Sequence, residues 1–346
     1  MYKDFKIVVN TAAGRRQNMQ YLVPYILRSD IVDRYDIWIN THNTVDIEFF
    51  KQLAKNFPKV NLVWQPDNEV NGISTINAFY KDCTDKDTIY FKLDDDVVWM
   101  EPGLIEKMVE FRVSNPEPFL VTPLVINNAL STYLLYIHRK ISLNQEFSIQ
   151  KARHIFWKKG RFAYELHTWF LRVIEERSWN KLFVGSKEMG MTRFSINAIL
   201  WFGKEMAKFN GNVTGDDEEF LSCIYPTLQG KSNLWNGDAI VAHYSFGPQN
   251  PSLSRTSILP KYGKALELEC SLDENIKSIN DTVKRIIGDL EKNKERLMKE
   301  KSPYKPSPKK SLVSVIKRRV KNFIRSERVE NTPPLTLLDY VVGKKD

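Results

Sequence analysis

Cysteine is scarce in this 346-residue sequence: there are three, Cys83, Cys223 and Cys270, far apart. An odd, dispersed set without ligand spacing excludes a disulfide framework and a cysteine-based metal site, and predicts reduced thiols in a cytoplasmic protein. Long apolar runs are missing as well; no stretch approaches the ~20 residues that cross a bilayer. The first strand is expected from Phe5, which leaves no room for a signal peptide. Glycine is sparse where a phosphate loop would need it, since Ala12-Ala13-Gly14-Arg15-Arg16 holds only one. Net charge is missing from most of the chain. Residues 301–328 carry ten basic side chains and one acid, which accounts for the whole of the +9 and leaves 41 basic and 41 acidic side chains elsewhere. A neutral body gives little support to nucleic-acid binding.

What is present centres on Tyr90-Phe91-Lys92-Leu93-Asp94-Asp95-Asp96-Val97-Val98-Trp99. The apolar residues before the acids lie on both faces of an extended segment, which predicts a buried strand. Three adjacent carboxylates are costly in a dry environment without a compensating cation. A hard divalent metal with oxygen ligands is the simplest remedy, and an acidic surface turn is the alternative.

The flanking elements read as an α/β protein. Strands are expected at 5–11, 35–40 and 60–64, each followed by a helical or polar segment, with Pro24 at the start of the first helix or kinking it. Asn71-Gly72 introduces a helix that leads into the acidic strand. This alternation predicts a mostly parallel sheet with ligand sites at strand C-terminal ends, where Asn40, Thr41 and Asp94 sit. Residues 127–190 are less regular and rich in aromatic and basic side chains, which suit packing first and acceptor binding second. A strand at 194–203 precedes Gly215-Asp216-Asp217-Glu218-Glu219 at a helix entry. Helix capping accounts for one or two of those acids, and four in a row suggest that at least one is kept for chemistry. His243 ends a short strand at 239–244, either as a structural histidine or as a metal ligand. Residues 246–260 read as a proline-rich loop.

Three regions follow: 1–265 as the main domain (halves about 1–125 and 126–265), 266–300 as an amphipathic helix, and 301–346 as a basic tail. The helix repeats apolar residues from Ile276 to Leu297 and either packs on the body or pairs with a second copy. In the tail, Ser302–Pro308 reads as an extended linker. The stripe from Leu312 to Ile324, set among cations, suits an anionic membrane surface through 301–328.

Taken together, the acidic strand end, the later Gly-Asp-Asp and His243 resemble the GT-A-fold nucleotide-sugar glycosyltransferases, in particular their family-2-like inverting members. The resemblance covers roughly residues 5–245. It implies donor contacts from Thr11, Arg15, Asn40, Asn71, Asp94 and Asp95, and a Mn²⁺ or Mg²⁺ held by Asp96 and His243. Gly215-Asp216-Asp217 lines up with the Gly-Glu-Asp catalytic motif, which implies a general base at Asp217, with Asp216 as the other candidate because Asp stands there for Glu. Asn40 departs from the acid that many relatives carry, which weakens any assignment of uridine. The implied activity is transfer of a sugar from a nucleotide-diphosphate sugar to a glycan or lipid-linked acceptor, with inversion, on the cytoplasmic side of the membrane, in surface polysaccharide synthesis. A sugar-1-phosphate nucleotidyltransferase and a non-catalytic carbohydrate-binding protein of the same fold are the alternatives.

Overall fold

A computed structural model describes residues 2–70, 75, 78–143, 148, 155–305, 329 and 337–338. The first half is a run of parallel strands joined by helices and loops. Strand β1 (Lys6–Ala13) feeds helix α1 (Arg16–Arg28), β2 (Arg34–Ile39) feeds α2 (Thr44–Asn56), and β3 (Val60–Trp64) closes that edge. Asn43 caps α2 by accepting from the N–H groups of Val45 and Asp46. Pro24 lies inside α1 and not at its start.

The strand expected before the acids is present, and a second follows them: β4 (Thr88–Leu93) ends at the carboxylates and β5 (Val97–Met100) begins behind them. Helix α3 (Leu104–Ser114), β6 (Val121–Ile126) and α4 (Ala129–Ile137) follow. The region expected to be irregular holds a two-residue strand β7 (Ser142–Leu143), the helix α5 (Gly160–Glu175) and β8 (Ser186–Met189). Next come β9 (Ala198–Phe202) and β10 (Asn233–His243). The order across the sheet is β3-β2-β1-β4-β9-β6-β10-β5, with β8 also on β10. Strands β3, β2, β1 and β4 pair in parallel, whereas β9 is antiparallel to β4 and to β6, and β5 and β8 are antiparallel to β10. The sheet is thus Rossmann-like at one end and mixed at the other.

Alternation along each strand sends side chains to two separate cores. Ile7 and Val9 of β1, Ile37 and Ile39 of β2, and Phe91 and Leu93 of β4 join one core. Val8, Trp38 and Tyr90 join the other. This parity decides which residues beyond the strand ends can face a common ligand.

Two helices close the chain over the parallel edge. Helix α6 (Ile258–Leu272) crosses the boundary expected at 265, and the expected loop 246–260 already contains helical turn Asn250–Leu253. Helix α7 (Glu274–Lys299), capped by Asp273, packs on α1, α2 and α6. Its apolar stripe is therefore spent on this chain. Residues 301–305 do not behave as a free linker: Tyr304 is buried at the ends of β2 and β3. The basic helix expected over 312–324 lies outside the described residues. A short strand β11 (Leu337–Leu338) pairs antiparallel with β7. No described helix is long and apolar enough to cross a membrane.

Candidate active site

Backbone pairing brings the distant acidic motifs to one place. Leu93 pairs with Ala198, so Asp94 meets Asn197 just before β9. The Asp94 N–H donates to the Asn197 carbonyl at 2.9 Å, and Asn197 Nδ2 donates to Asp94 Oδ2 at 3.0 Å. On the other side His243 pairs with Val97, at an irregularity in the β10–β5 register that re-aims its side chain. The Tyr244 N–H donates to the Asp96 carbonyl at 2.7 Å, and His243 Nε2 lies 3.2 Å from Asp96 Oδ1.

Each carboxylate of the triplet has its own partners. Asp94 is half-buried and paired with the buried Lys92, which also donates to the Ile196 carbonyl at 2.8 Å. Asp95 accepts from the Gly14 N–H at 2.8 Å and from Arg15 Nε at 2.9 Å. Asp96 meets Arg15 Nη1 at 2.9 Å. Gly14 is favoured by close approach and not by φ. A Cβ there would stand 3.1 Å from the Asn40 carbonyl and 3.7 Å from Asp95 Oδ2.

The electrostatics follow these contacts. Burial pushes Asp95 up, and Arg15 opposes it. Burial also pushes on Asp96, but Arg15 and His243 outweigh it and hold that carboxyl well below the usual range. Burial works against a charged His243, and Asp96 overcomes it to raise the imidazole. Lys92 follows the same pattern, raised by Asp94 and then Asp217 against its burial.

A cavity of about 450 Å³ opens above these groups. Its lining includes Ala12, Arg15, Asn40, Lys92, Asp94, Asn197 and Asp217. Asp217 accepts the Tyr80 hydroxyl at 3.1 Å, and burial raises its pKa while Lys92 opposes the rise. Asp216 behaves differently. Its carboxylate caps the helical turn Asp217–Glu219 by accepting from the Glu219 N–H at 3.0 Å, and Arg193 Nη2 donates to it at 3.0 Å. Arg193 also holds Glu218 at 2.9 Å. Gly215, at φ +72°, turns the chain just before the capping acid.

Of the residues singled out in the sequence, Arg15, Asn40, Asp94, Asp95 and Asp217 line this cavity, and Asp96 and His243 stand beside Asp94. Thr11 does not fit the expectation. It is fully buried beneath the Tyr35 hydroxyl, which donates to its Oγ1 at 3.1 Å. Strand parity is the reason: Thr11 shares the face of Val9, and Ala12 takes the cavity side. Asn71 lies outside the described residues. Lys92, Asn197, Tyr80 and Arg193 escaped notice in the sequence. Only Lys92 carried a signal there, as the lone charge in an otherwise apolar strand.

Asp94, Asp96 and His243 each present a ligand atom, all within 4.8 Å of one another. Two carboxylate oxygens and an imidazole nitrogen fit a divalent cation that keeps further positions for water or phosphate oxygens. His243 is 2% exposed, and its Nδ1 has no hydrogen-bond partner among the described residues, a need that an ordered water would meet.

No protein-family model matches the chain, and no curated protein matches it. Among solved structures, it is similar to a CMP:2-keto-3-deoxy-manno-octonic acid synthetase complexed with CTP. The two share 10% identity over 69% of this chain and 90% of the other, with a TM-score of 0.36. It is also similar to a 4-diphosphocytidyl-2C-methyl-D-erythritol synthase from Anaerococcus prevotii, at 8% identity over 75% of this chain and 96% of the other, with a TM-score of 0.35. Likeness this distant transfers neither an activity nor a site to this chain, and the functional argument rests on the cavity.

Proposed function

We propose that the protein is a metal-dependent glycosyltransferase that takes a sugar from a nucleotide-diphosphate sugar. The observation that carries this reading is one cavity lined by both Asp94, beside Asp96 and His243, and Asp217. Asp94, Asp96 and His243 would hold Mn²⁺ or Mg²⁺. When bound, the ion neutralises charge that grows on the leaving diphosphate. Arg15 and Lys92 add fixed positive charge in the same cavity. Asp217 would accept the proton of the acceptor hydroxyl as that oxygen attacks the anomeric carbon. Its buried setting and raised pKa suit a proton acceptor that is not already exhausted by solvation. Attack from the side opposite the leaving diphosphate would invert the anomeric centre. Asp216, spent on the cap and on Arg193, is the weaker candidate for the base.

The test is release of nucleoside diphosphate from a panel of nucleotide sugars with Mn²⁺, compared between the native chain and Asp217→Asn. A second reading, a sugar-1-phosphate nucleotidyltransferase, draws on the two cations in the cavity wall, which would also suit a triphosphate. Against it stands the single glycine of the β1–α1 turn. Pyrophosphate released from a nucleoside triphosphate and a sugar phosphate would establish it.

A glycan or lipid-linked acceptor fits the same proposal, with the basic stretch 301–328 drawing the enzyme to an anionic membrane. Binding to anionic vesicles that weakens with salt, and is lost when Lys317, Arg318 and Lys321 become Glu, tests that part.

A further inference from the structure

Tyr80 lies in the helical turn Phe79–Asp82 and is fully buried in an apolar setting. Its ring stacks on Phe79, with centroids 4.2 Å apart, and packs against Trp201 at 5.9 Å, all three in one core. A phenylalanine would fill that space with no polar atom to satisfy. The hydroxyl has one partner among the described residues, Asp217 Oδ2 at 3.1 Å, 137 residues further along the chain. A carboxylate only accepts, so Tyr80 is the donor. Burial pushes the phenol well above its usual range and keeps the proton on it.

The two segments also meet through their backbones. Gly211, at φ +61°, lies so close to Tyr80 that a Cβ there would stand 2.2 Å from the Tyr80 carbonyl oxygen. The chain that leads to Asp217 therefore passes directly against the turn that carries Tyr80. The other carboxylate oxygen is held as well, because the Glu218 N–H donates to Asp217 Oδ1 at 3.0 Å. A carboxylate has about four acceptor positions, so these two donors leave others for a ligand in the cavity that Asp217 lines.

We infer that Tyr80 is the positioning residue for Asp217: together with the Glu218 N–H it fixes the plane of the carboxylate that receives the acceptor's proton. The inference rests on Asp217 being the general base. Without the hydroxyl, the carboxylate is held by the Glu218 N–H alone, and its charged form loses a donor. The other charged groups about Asp217 are Lys92 and Asp94 at the end of β4, and Asp216, Glu218 and Glu219 on its own turn with Arg193 among them. Tyr80→Phe alters none of these.

The experiment measures nucleoside diphosphate released by the full chain with Mn²⁺ from UDP-glucose, UDP-N-acetylglucosamine, GDP-mannose and ADP-glucose, with water as the acceptor. Native protein and Tyr80→Phe are compared from about pH 5 to about pH 9. Tyr80→Phe is expected to lose roughly ten- to a hundredfold in kcat with KM unchanged, the cost of a misplaced base. Its rate profile is expected to need a higher pH, by about one pH unit on the acid limb, because the ionised carboxylate has lost a donor. Should Tyr80→Phe fold poorly, 3-fluorotyrosine at position 80 keeps the shape and strengthens the donor, and the acid limb is expected to move to lower pH. An unaltered kcat and acid limb overturn the inference, and so does a loss that falls wholly in KM. A native chain that releases no nucleoside diphosphate overturns the transferase reading itself, and this inference with it.

Discussion

Asp96 and His243 come from opposite halves of the sequence, yet the imidazole Nε2 lies 3.2 Å from the carboxylate because β10 runs antiparallel beside β5. The pair and Asp94 make a cation site out of sheet geometry. Removing one donor should therefore weaken a metal without dismantling the sheet. His243→Ala is expected to lower Mn²⁺ affinity at least roughly tenfold, measured by titration of the full chain with Mn²⁺. Unchanged affinity would place the metal elsewhere.

Asp216 and Asp217 are adjacent but hold unrelated posts. Asp217→Asn is expected to keep Mn²⁺ and nucleotide binding and to lose roughly 10²–10⁴ in turnover, the span of a general base. Asp216→Ala removes a helix cap and is expected to cost about 1 kcal/mol of stability while turnover falls only a few-fold. Denaturant melts and steady-state rates on the two variants separate the roles.

His167 supplies a pH-dependent stability. It is fully buried, with Nδ1 2.7 Å from the Tyr262 hydroxyl and Nε2 2.8 Å from the Tyr244 carbonyl. A carbonyl can only accept, so Nε2 carries the proton and Nδ1 accepts from Tyr262. Burial lowers its pKa from 6.5 to about 4. Between those values the unfolded chain binds a proton that the folded chain refuses. Stability therefore falls as the pH drops below 6.5 and levels off near 4, by roughly 3 kcal/mol from this residue. The difference between native protein and His167→Gln across that range isolates it; a flat difference would contradict the assignment.

Helix α7 is part of the core and not a dimerisation stripe. Leu290, 4% exposed, sits in the core cluster shared with α1 and α2. Leu290→Ala is expected to cost about 2–5 kcal/mol at any protein concentration. A cost that grows on dilution would point to self-association instead.

Much of this site was legible from residue types. The acidic strand end and His243 announced themselves as polar groups closing apolar strands, and the later Gly-Asp-Asp as acids in excess of what a helix entry needs. Thr11 was misjudged because its place at a strand end was read without parity; counting alternate residues from Val9 would have put Ala12 at the cavity. The partners Asn197, Tyr80 and Arg193 are set by antiparallel pairing and by turns that no local pattern encodes. Strand β10 begins well before its apolar end because Leu234–Asn236 pairs with β6 on one side and β8 on the other. Tyr304 looked like part of a proline-rich linker, and its burial depends on acceptor and donor groups at the ends of two distant strands.

The most direct test is turnover of nucleotide sugars with Mn²⁺ by the native chain, Asp96→Ala and Asp217→Asn. Nucleoside diphosphate released by the native chain, with neither variant turning over and Asp217→Asn still binding the product diphosphate, is the predicted result. Full turnover by Asp217→Asn, or pyrophosphate as the only product, would contradict the account.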